Sequence, residues 1–404
     1  MNDLIKSAMT KLTERFDRID KTAIVNQNKV LNAFIDNKVA LRHFSPTSGY
    51  GYDDCARDTL NKLYAAVFGT EDAIVSPLIA SGTHALTVAL FGLLRPGQTL
   101  LCATGTPYDT LNNVIFGDGI GSLKDFGVRC EIVPLDIGGK PDINSIIAAC
   151  KKFRPSVVAI QRSRGYEMRP ALTAEQVCGI AQSVREYVGY VMVDNCYGEF
   201  VDTVEPSDCV DALVGSLIKN PGGGLAPTGG YICGTSKAIQ QIEGRFTAPS
   251  IGREVGSYSG DYRPFYQGLF TAPHTVAQSL KTALLFSQVF SDLGYMTMPS
   301  ANDSLGDIIC SIKFGDERKL IEFCKAVQSV SPIDSFAVPE PWDMPGYEDK
   351  VIMAAGAFVQ GSSIELSCDA PIRPPYIAYL QGGLTFEHGI IALEKCLNAV
   401  IVGK

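Results

Sequence analysis

The chain holds a single tryptophan and four histidines among 404 residues, and no run of 18 consecutive apolar residues. Without such a run there is no sequence signal for a membrane-spanning helix, which needs about 20 apolar residues. Positive charge is also in short supply. Lysine and arginine number 35 against 43 acids, a net charge of -8. Nucleic acid is therefore not expected as the main partner, because phosphate binding needs a basic face. Twelve cysteines occur, but none forms a C-x-x-C pair or a Cys/His cluster at zinc spacing. Several lie inside apolar runs such as TLLCATG and DIICSIKF. Most therefore read as small buried hydrophobes in a reducing compartment. The opening segment, MNDLIKSAMTKLTERFDRID, is charged throughout and lacks the apolar stretch of a secretion signal. A cytoplasmic location is expected.

What the chain does have is core. Hydrophobic residues make up 46% and charged residues 19%, the balance of a large globular protein of two or three domains. Residues 1–45 read as an amphipathic helical arm. From 46 to 265 apolar strand candidates (AIVSPLI, TLLCAT, CEIVPL, SVVAIQ, YVMVDN, LVGSLI, GGYICG) alternate with helix-like stretches. Continuous apolar strands separated by helices predict a parallel sheet covered on both faces. Ligands are then expected at the carboxyl ends of the strands. A long connecting helix is expected over 266–294, and a smaller α+β unit over 295–404. The proline- and acid-rich segment SPIDSFAVPEPWDMPGYEDK, with Trp342, reads either as a surface connection or as a lip over a site.

Four features at predicted strand ends carry chemistry. Ser81, Gly82 and Thr83 stand at the start of a helix. There free N–H groups, hydroxyls and a close backbone approach suit a phosphate. Tyr108, in TGTPYDTL, can stack on a planar ring. Asp194 ends the apolar run GYVMVD, where a bare carboxylate is costly without a cationic partner. Lys219 leaves the run LVGSLI for a turn containing Gly222, Gly223 and Gly224. A lysine held away from water is expected to have a lowered pKa and to act as an amine nucleophile. The glycines are expected to leave room for a flat ligand, and Ser216 is a further phosphate donor. Pyridoxal phosphate needs this set. Its aldehyde needs a lysine, its pyridine nitrogen a carboxylate, its ring a flat neighbour and its phosphate a helix start.

The stretches SGYGYDD, ASGTHAL, GTPYDTL, VDNCYGEF, SLIKNPGGGLAPTGGYI, PEPWDMPGY and APIRPPYIAYLQGGLTFEH resemble the fold type I pyridoxal phosphate enzymes of cysteine and methionine metabolism. Among these the chain is most similar to the methionine gamma-lyase-related, cystathionine beta-lyase-like "aluminum resistance" proteins, over nearly its whole length. The resemblance implies an aspartate aminotransferase-like fold: a large, mostly parallel-sheet domain with a smaller C-terminal α+β domain. It implies pyridoxal phosphate bound covalently to Lys219, with Asp194 on the ring nitrogen and Tyr108 stacked on the ring. Gly82, Thr83 and Ser216 would serve the phosphate, as would Tyr50 or Tyr52 reaching over from a partner subunit. No arginine stands beside these tyrosines, Arg57 being the nearest, and Ile218 takes the place of a threonine found in the wider group. Arg373 is expected to bind the substrate carboxylate, and Arg253 is a second candidate for a ligand contact. The implied assembly is a homotetramer, a dimer of dimers with sites at the dimer interface.

The activity implied is a carbon–sulfur lyase using β- or γ-elimination on a substrate like cystathionine, methionine or cysteine. Aminotransfer, racemisation or γ-replacement would use the same cofactor. A non-catalytic metal-tolerance protein is the third reading. No oxygen-ligand cluster with loop spacing supports it.

Overall fold

The computed structural model describes residues 2–344 and 347–402. The arm is two helices, α1 (Asp3–Lys11) and α2 (Thr13–Asp36), followed by a 3₁₀ turn at Leu41–Phe44. Asn2 caps α1 by accepting a hydrogen bond from the Leu4 N–H at 2.9 Å. Helix α3 (Cys55–Phe68) precedes a seven-stranded sheet of β1 (Asp72–Ser76), β2 (Thr99–Cys102), β3 (Arg129–Ile132), β4 (Val157–Gln161), β5 (Tyr190–Asp194), β6 (Ala212–Ser216) and β7 (Gly230–Gly234). Between and after these strands run α4 (Gly82–Leu93), α5 (Asp109–Phe116), α6 (Ile143–Phe153), α7 (Ala174–Val184) and α8 (Ser236–Phe246). All seven strand candidates read from the sequence fall on these strands.

The strand order is β1-β7-β6-β5-β4-β2-β3. The sheet is mostly parallel, as expected, with one strand reversed. β7 runs antiparallel to both β1 and β6. The link from β6 to β7 contains only one short 3₁₀ turn, Asn220–Gly222. A parallel return usually runs through a covering helix, and with none in this link the chain comes straight back. Since β7 opposes both neighbours, β1 still points the same way as β6.

Helix α9 (Arg263–Asp292) then packs against α1, α2 and the turn after Lys219. It begins earlier than the sequence predicts and continues through Pro273, a residue that argues for a break when read locally. The last part holds a five-stranded antiparallel sheet in the order β10-β11-β12-β9-β8, from β8 (Met296–Met298), β9 (Ile309–Lys313), β10 (Val351–Ala354), β11 (Ser367–Pro371) and β12 (Ile377–Gln381). α10 (Glu317–Gln328) and α11 (Phe386–Val402) complete it. Along these strands Cys310, Ile312, Cys368, Ala370, Ala378 and Leu380 join the hydrophobic core. Side chains alternate along a strand, so the residues between them face the other way.

Eight free cysteines are buried, as their apolar settings predict. Cys178 and Cys209 depart from that reading. They are joined as a disulfide with Cα atoms 5.3 Å apart, where α7 packs on the 3₁₀ turn Pro206–Cys209. Among the described residues no helix is long and apolar enough to cross a membrane.

Candidate active site

Three neighbouring strands end on polar residues: β4 on Gln161, β5 on Asp194 and β6 on Ser216. The rest of each strand is almost wholly buried and apolar. The polar groups thus collect along one sheet edge, where the turns after β1 and β2 add Ser81 and Tyr108. A cavity of about 260 Å³ opens there. Ser81, Gly82, Thr83, Tyr108, Asp194, Ser216 and Lys219 all line it.

Lys219 follows β6 by three residues and lies with its Nζ 4.1 Å from the Tyr197 ring centroid. The sequence expectation of a lowered pKa is reversed. Burial pushes the ammonium down as expected, but Cys196, Tyr197, Asp194 and Tyr108 together hold it well above the ordinary lysine value. Among these, Asp194 is the carboxyl group. Asp194 is buried, and burial pushes its carboxyl up while Lys219 opposes the shift. Its Oδ1 accepts the Cys196 N–H at 3.1 Å.

The first turn of α4 forms a cup. Ser81 caps the helix, its Oγ accepting from the His84 N–H at 3.1 Å. Thr83 Oγ1 lies 3.1 Å from the Tyr108 hydroxyl and 3.2 Å from Thr110 Oγ1. Tyr108 is fixed from behind, its backbone N–H donating to Gln161 Oε1 at 3.3 Å. Burial raises its phenol well above the usual tyrosine value, so it stays protonated. Gly82 sits tight against the next strand end. A Cβ there would stand 3.3 Å from Ser216 Cβ and 3.4 Å from Cys196 Sγ.

The turn after Asp194 is held from beneath. Tyr197 adopts φ +71°, a left-handed conformation that costs a non-glycine residue roughly 1–2 kcal/mol. The fully buried Arg162 secures the turn by donating to Asn195 Oδ1 at 2.9 Å, Glu205 Oε2 at 3.0 Å and Asp202 Oδ2 at 3.0 Å. Gly198 makes room for it, since a Cβ there would collide with the Arg162 stem.

The three glycines after Lys219 have a different role from the one their position suggests. They do not line the cavity. Gly222 and Gly223 press the turn against α9 at Gly268, and a Cβ on Gly223 or Gly268 would strike backbone atoms across that contact. A Cβ on Gly222 would instead strike the Leu217 carbonyl within the turn, and one on Gly224 the Leu384 side chain. Gly222 and Gly223 seat the lysine turn on the long helix.

The small sheet supplies a second wall. Its pairing places Met353 beside Asp369 and Asp369 beside Tyr379, with Gln381 beside Ile309 in the next row. All five line the cavity, and Tyr347 and Tyr166 lie with them. Tyr347 belongs to the proline- and acid-rich segment, so one end of that segment reaches the site. Trp342, in the same segment, is 51% exposed, and Pro345 and Gly346 lie outside the described residues.

Four expected contacts are not assembled in this cavity. Arg373 lines a neighbouring depression instead, is 48% exposed and pairs with Asp349 at 2.9 Å. The cis peptide Pro374–Pro375 follows it, ahead of β12. Arg253 binds Asp72, the first residue of β1, at 2.7 Å. That is the opposite end of the strand from the cavity. Tyr50 and Tyr52 lie at the surface with ring centroids 5.5 Å apart. Arg57 is buried and spends its guanidinium on the Gly51 carbonyl and Asp58. Sequence reasoning missed Gln161, Tyr197, Asp369, Tyr379 and Gln381. Gln161 carried a usable signal, the same strand-end position that singled out Asp194. The others are set by a turn and by the register of strands that pair only in the folded chain.

The donor set suits pyridoxal phosphate. Hydroxyls of Ser81, Thr83 and Ser216 stand at the start of a 12-residue helix, where backbone N–H groups and the dipole favour an anion. A buried carboxylate, an amine and a tyrosine share the same cavity, and the closeness of Gly82 to Ser216 keeps the cup tight.

The family model described as Methionine gamma-lyase matches residues 1–401. The protein YnbB of Bacillus subtilis (strain 168) is 48% identical over 390 residues, 95% of this chain and 92% of that protein. A crystal structure described as a carbon-sulfur lyase involved in aluminum resistance, from Clostridium novyi NT, is 49% identical. It superposes with a TM-score of 0.93 over 98% of this chain and 96% of that one. The pyridoxal-5'-phosphate-dependent protein YhfS of Escherichia coli, at 14% identity, shares the fold with a TM-score of 0.65 over 95% of this chain and 97% of that one. The architecture is fold type I, an α/β protein with a mostly parallel sheet and a separate antiparallel one.

Proposed function

The chain belongs to the methionine gamma-lyase family, and from this we propose that it is a pyridoxal-phosphate-dependent carbon–sulfur lyase. Its substrate is a sulfur-containing amino acid, cleaved by β- or γ-elimination. The observation that carries the reading is the meeting of Lys219, Asp194, Tyr108 and the α4 cup in one cavity.

When bound, the cofactor supplies an electron sink for negative charge at the substrate α-carbon. Lys219 would hold the cofactor covalently through Nζ, and its freed Nζ would be the base for the α-proton. The Asp194 carboxylate would keep a proton on the pyridine nitrogen. Tyr108, whose hydroxyl is placed by Thr83, would serve the ring. Ser81, Gly82, Thr83 and Ser216 would hold the phosphate. The buried walls exclude water while the carbon–sulfur bond breaks.

The site works in a homo-oligomer, as a dimer of dimers in which Tyr50 or Tyr52 reaches the phosphate of a neighbouring copy. The exposure of both tyrosines, and of Ile24, Leu31, Ile35 and Leu41 along the arm, supports a covered surface there.

The test is direct. Lys219→Ala should lose the visible absorbance of the bound cofactor, and turnover should fall by about 10²–10⁴-fold or more. A variant that keeps both sinks the assignment. Wild-type holoenzyme screened against cysteine, cystathionine and methionine should release pyruvate or 2-oxobutyrate together with a thiol. Release of none of these rules out the lyase reading.

A further inference from the structure

The second wall of the cavity is a sheet face with one carboxylate on its central row. Asp369 lies on β11 between Met353 of β10 and Tyr379 of β12. Both of its side-chain hydrogen bonds go to the same oxygen. Oδ2 accepts from the Tyr166 hydroxyl at 3.2 Å and from Gln381 Nε2 at 2.9 Å. Among the described residues, no group is recorded as donating to Oδ1, and the residue lines the cavity. One oxygen is thus anchored from the wall, and the other is available to whatever occupies the space.

The charges around the cavity are unbalanced in a telling direction. Its acidic lining residues are Asp109, Asp194 and Asp369, and among the described residues Lys219 is its only lining cation. No arginine lines it, and Arg373 is engaged with Asp349 in the depression beside it. In the reading above, Lys219 and Asp194 are both committed to the cofactor. Lys219, the one lining cation that acts on Asp369, is then taken up at the cofactor. Burial raises its carboxyl to about 6, while Tyr166, Gln381 and Lys219 oppose the shift. A buried carboxylate with a vacant acceptor and no counter-ion is costly, and a cation on the ligand removes that cost. The methyl end of methionine offers it nothing.

We propose that Asp369 Oδ1 binds a protonated amine at the far end of the substrate, so that the preferred sulfur amino acids are those whose leaving thiol carries an ammonium group. This rests on the cavity being the substrate site of a pyridoxal phosphate enzyme, as argued above. Asp369 is then a specificity residue. Tyr166 and Gln381 are positioning residues that turn its free oxygen inward.

A matched pair of substrates tests this on the holoenzyme. S-(2-aminoethyl)-L-cysteine and S-propyl-L-cysteine differ only by an ammonium in place of a methyl group. Wild type should favour the amino compound in kcat/KM by at least about tenfold, the scale of one charge-assisted hydrogen bond. Asp369→Asn keeps an acceptor for Tyr166 and Gln381 while losing the charge. It should lose that preference, with the fall in kcat/KM larger for the amino compound than for S-propyl-L-cysteine by at least about tenfold. No preference in wild type, or an equal fall for both substrates in the variant, overturns the proposal.

Binding separates this idea from the lyase reading. L-lysine and L-2-aminoheptanoic acid have the same chain lengths as the two thioethers and no sulfur to eliminate. Calorimetry should give tighter binding of L-lysine to wild type and near-equal binding to Asp369→Asn. If neither thioether is cleaved but this binding preference holds, the lyase reading fails and the role of Asp369 stands. If wild type binds the two alike, the role of Asp369 falls whatever the cleavage result. The wild-type comparison alone decides this should the variant not fold.

Discussion

The two walls of the cavity are built in different ways. One is made from strand ends and the turns that follow them: Gln161, Asp194, Ser216 and then Lys219 and the α4 cup. The other is the broad face of an antiparallel sheet, with Asp369, Tyr379, Gln381, Ile309 and Met353 side by side. On the first wall each group sits where a buried apolar strand meets the sheet edge. On the second a slip of one residue along β11 would replace Asp369 with Cys368 or Ala370. In the functional reading proposed here, the strand-end wall holds the cofactor and moves the proton, and the sheet-face wall meets the far end of the substrate. Chemistry and substrate choice therefore rest on different elements and can be disturbed separately.

The sharpest way to break the first wall, after loss of Lys219 itself, is Asp194→Asn. It preserves shape and removes the charge that keeps the pyridine nitrogen protonated. A fall in kcat of roughly 10²–10³-fold is expected, as for loss of one preorganised electrostatic group. Steady-state assays should show it for every substrate alike. A fall confined to substrates with a distal amine would mean that the walls are not distinct.

An effect of intermediate size should mark the second wall, and it is visible without turnover. The ordinary aspartate value is about 3.9, and burial, the largest influence, raises Asp369 to about 6. The folded protein then binds this proton more tightly than the unfolded chain does. Stability from that proton is complete below about pH 4 and is lost as pH rises through about 6, a swing on the order of 2–3 kcal/mol. Asp369→Asn has no such proton to lose. Urea midpoints should move in favour of the variant, relative to wild type, between pH 5 and pH 8. A difference that stays flat across this range would show that Asp369 is not buried without a counter-charge.

The smallest effect belongs to a residue on neither wall. Arg373 is half exposed and paired with Asp349, and exposed pairs contribute about 0–1 kcal/mol. Arg373→Ala should change KM by less than about threefold and leave the thermal midpoint nearly unchanged. A much larger rise in KM would return the carboxylate to Arg373 and extend the site into the neighbouring depression.

The uneven legibility of the two walls has a physical origin. Strands buried on both faces read as continuous apolar runs, so a polar residue at the end of such a run is conspicuous in one dimension. Asp194 and Lys219 stand out in this way, and Gln161 could have been found by the same rule. The small sheet gives a weaker signal. β11, Ser367–Pro371, holds a serine, an aspartate and a proline in place of a continuous apolar run. The strand β12 lies unmarked within a stretch of prolines and tyrosines. Asp369 looks like any loop aspartate until β10, β11 and β12 pair and the alternation assigns it a face.

By itself the sequence determined the succession along the chain of the strands and helices of the large domain, the polar groups at its strand ends and the cofactor they suit. Those follow from local hydrophobic pattern and residue chemistry, which act over a few neighbours. Tertiary structure alone decided that β7 runs backwards and that Gly222 and Gly223 serve the contact with α9. It also kept Arg373 out of the cavity and brought Asp369 in. Each of these depends on contacts between segments far apart in the chain, where register and close backbone approach choose among arrangements that the local pattern leaves equal.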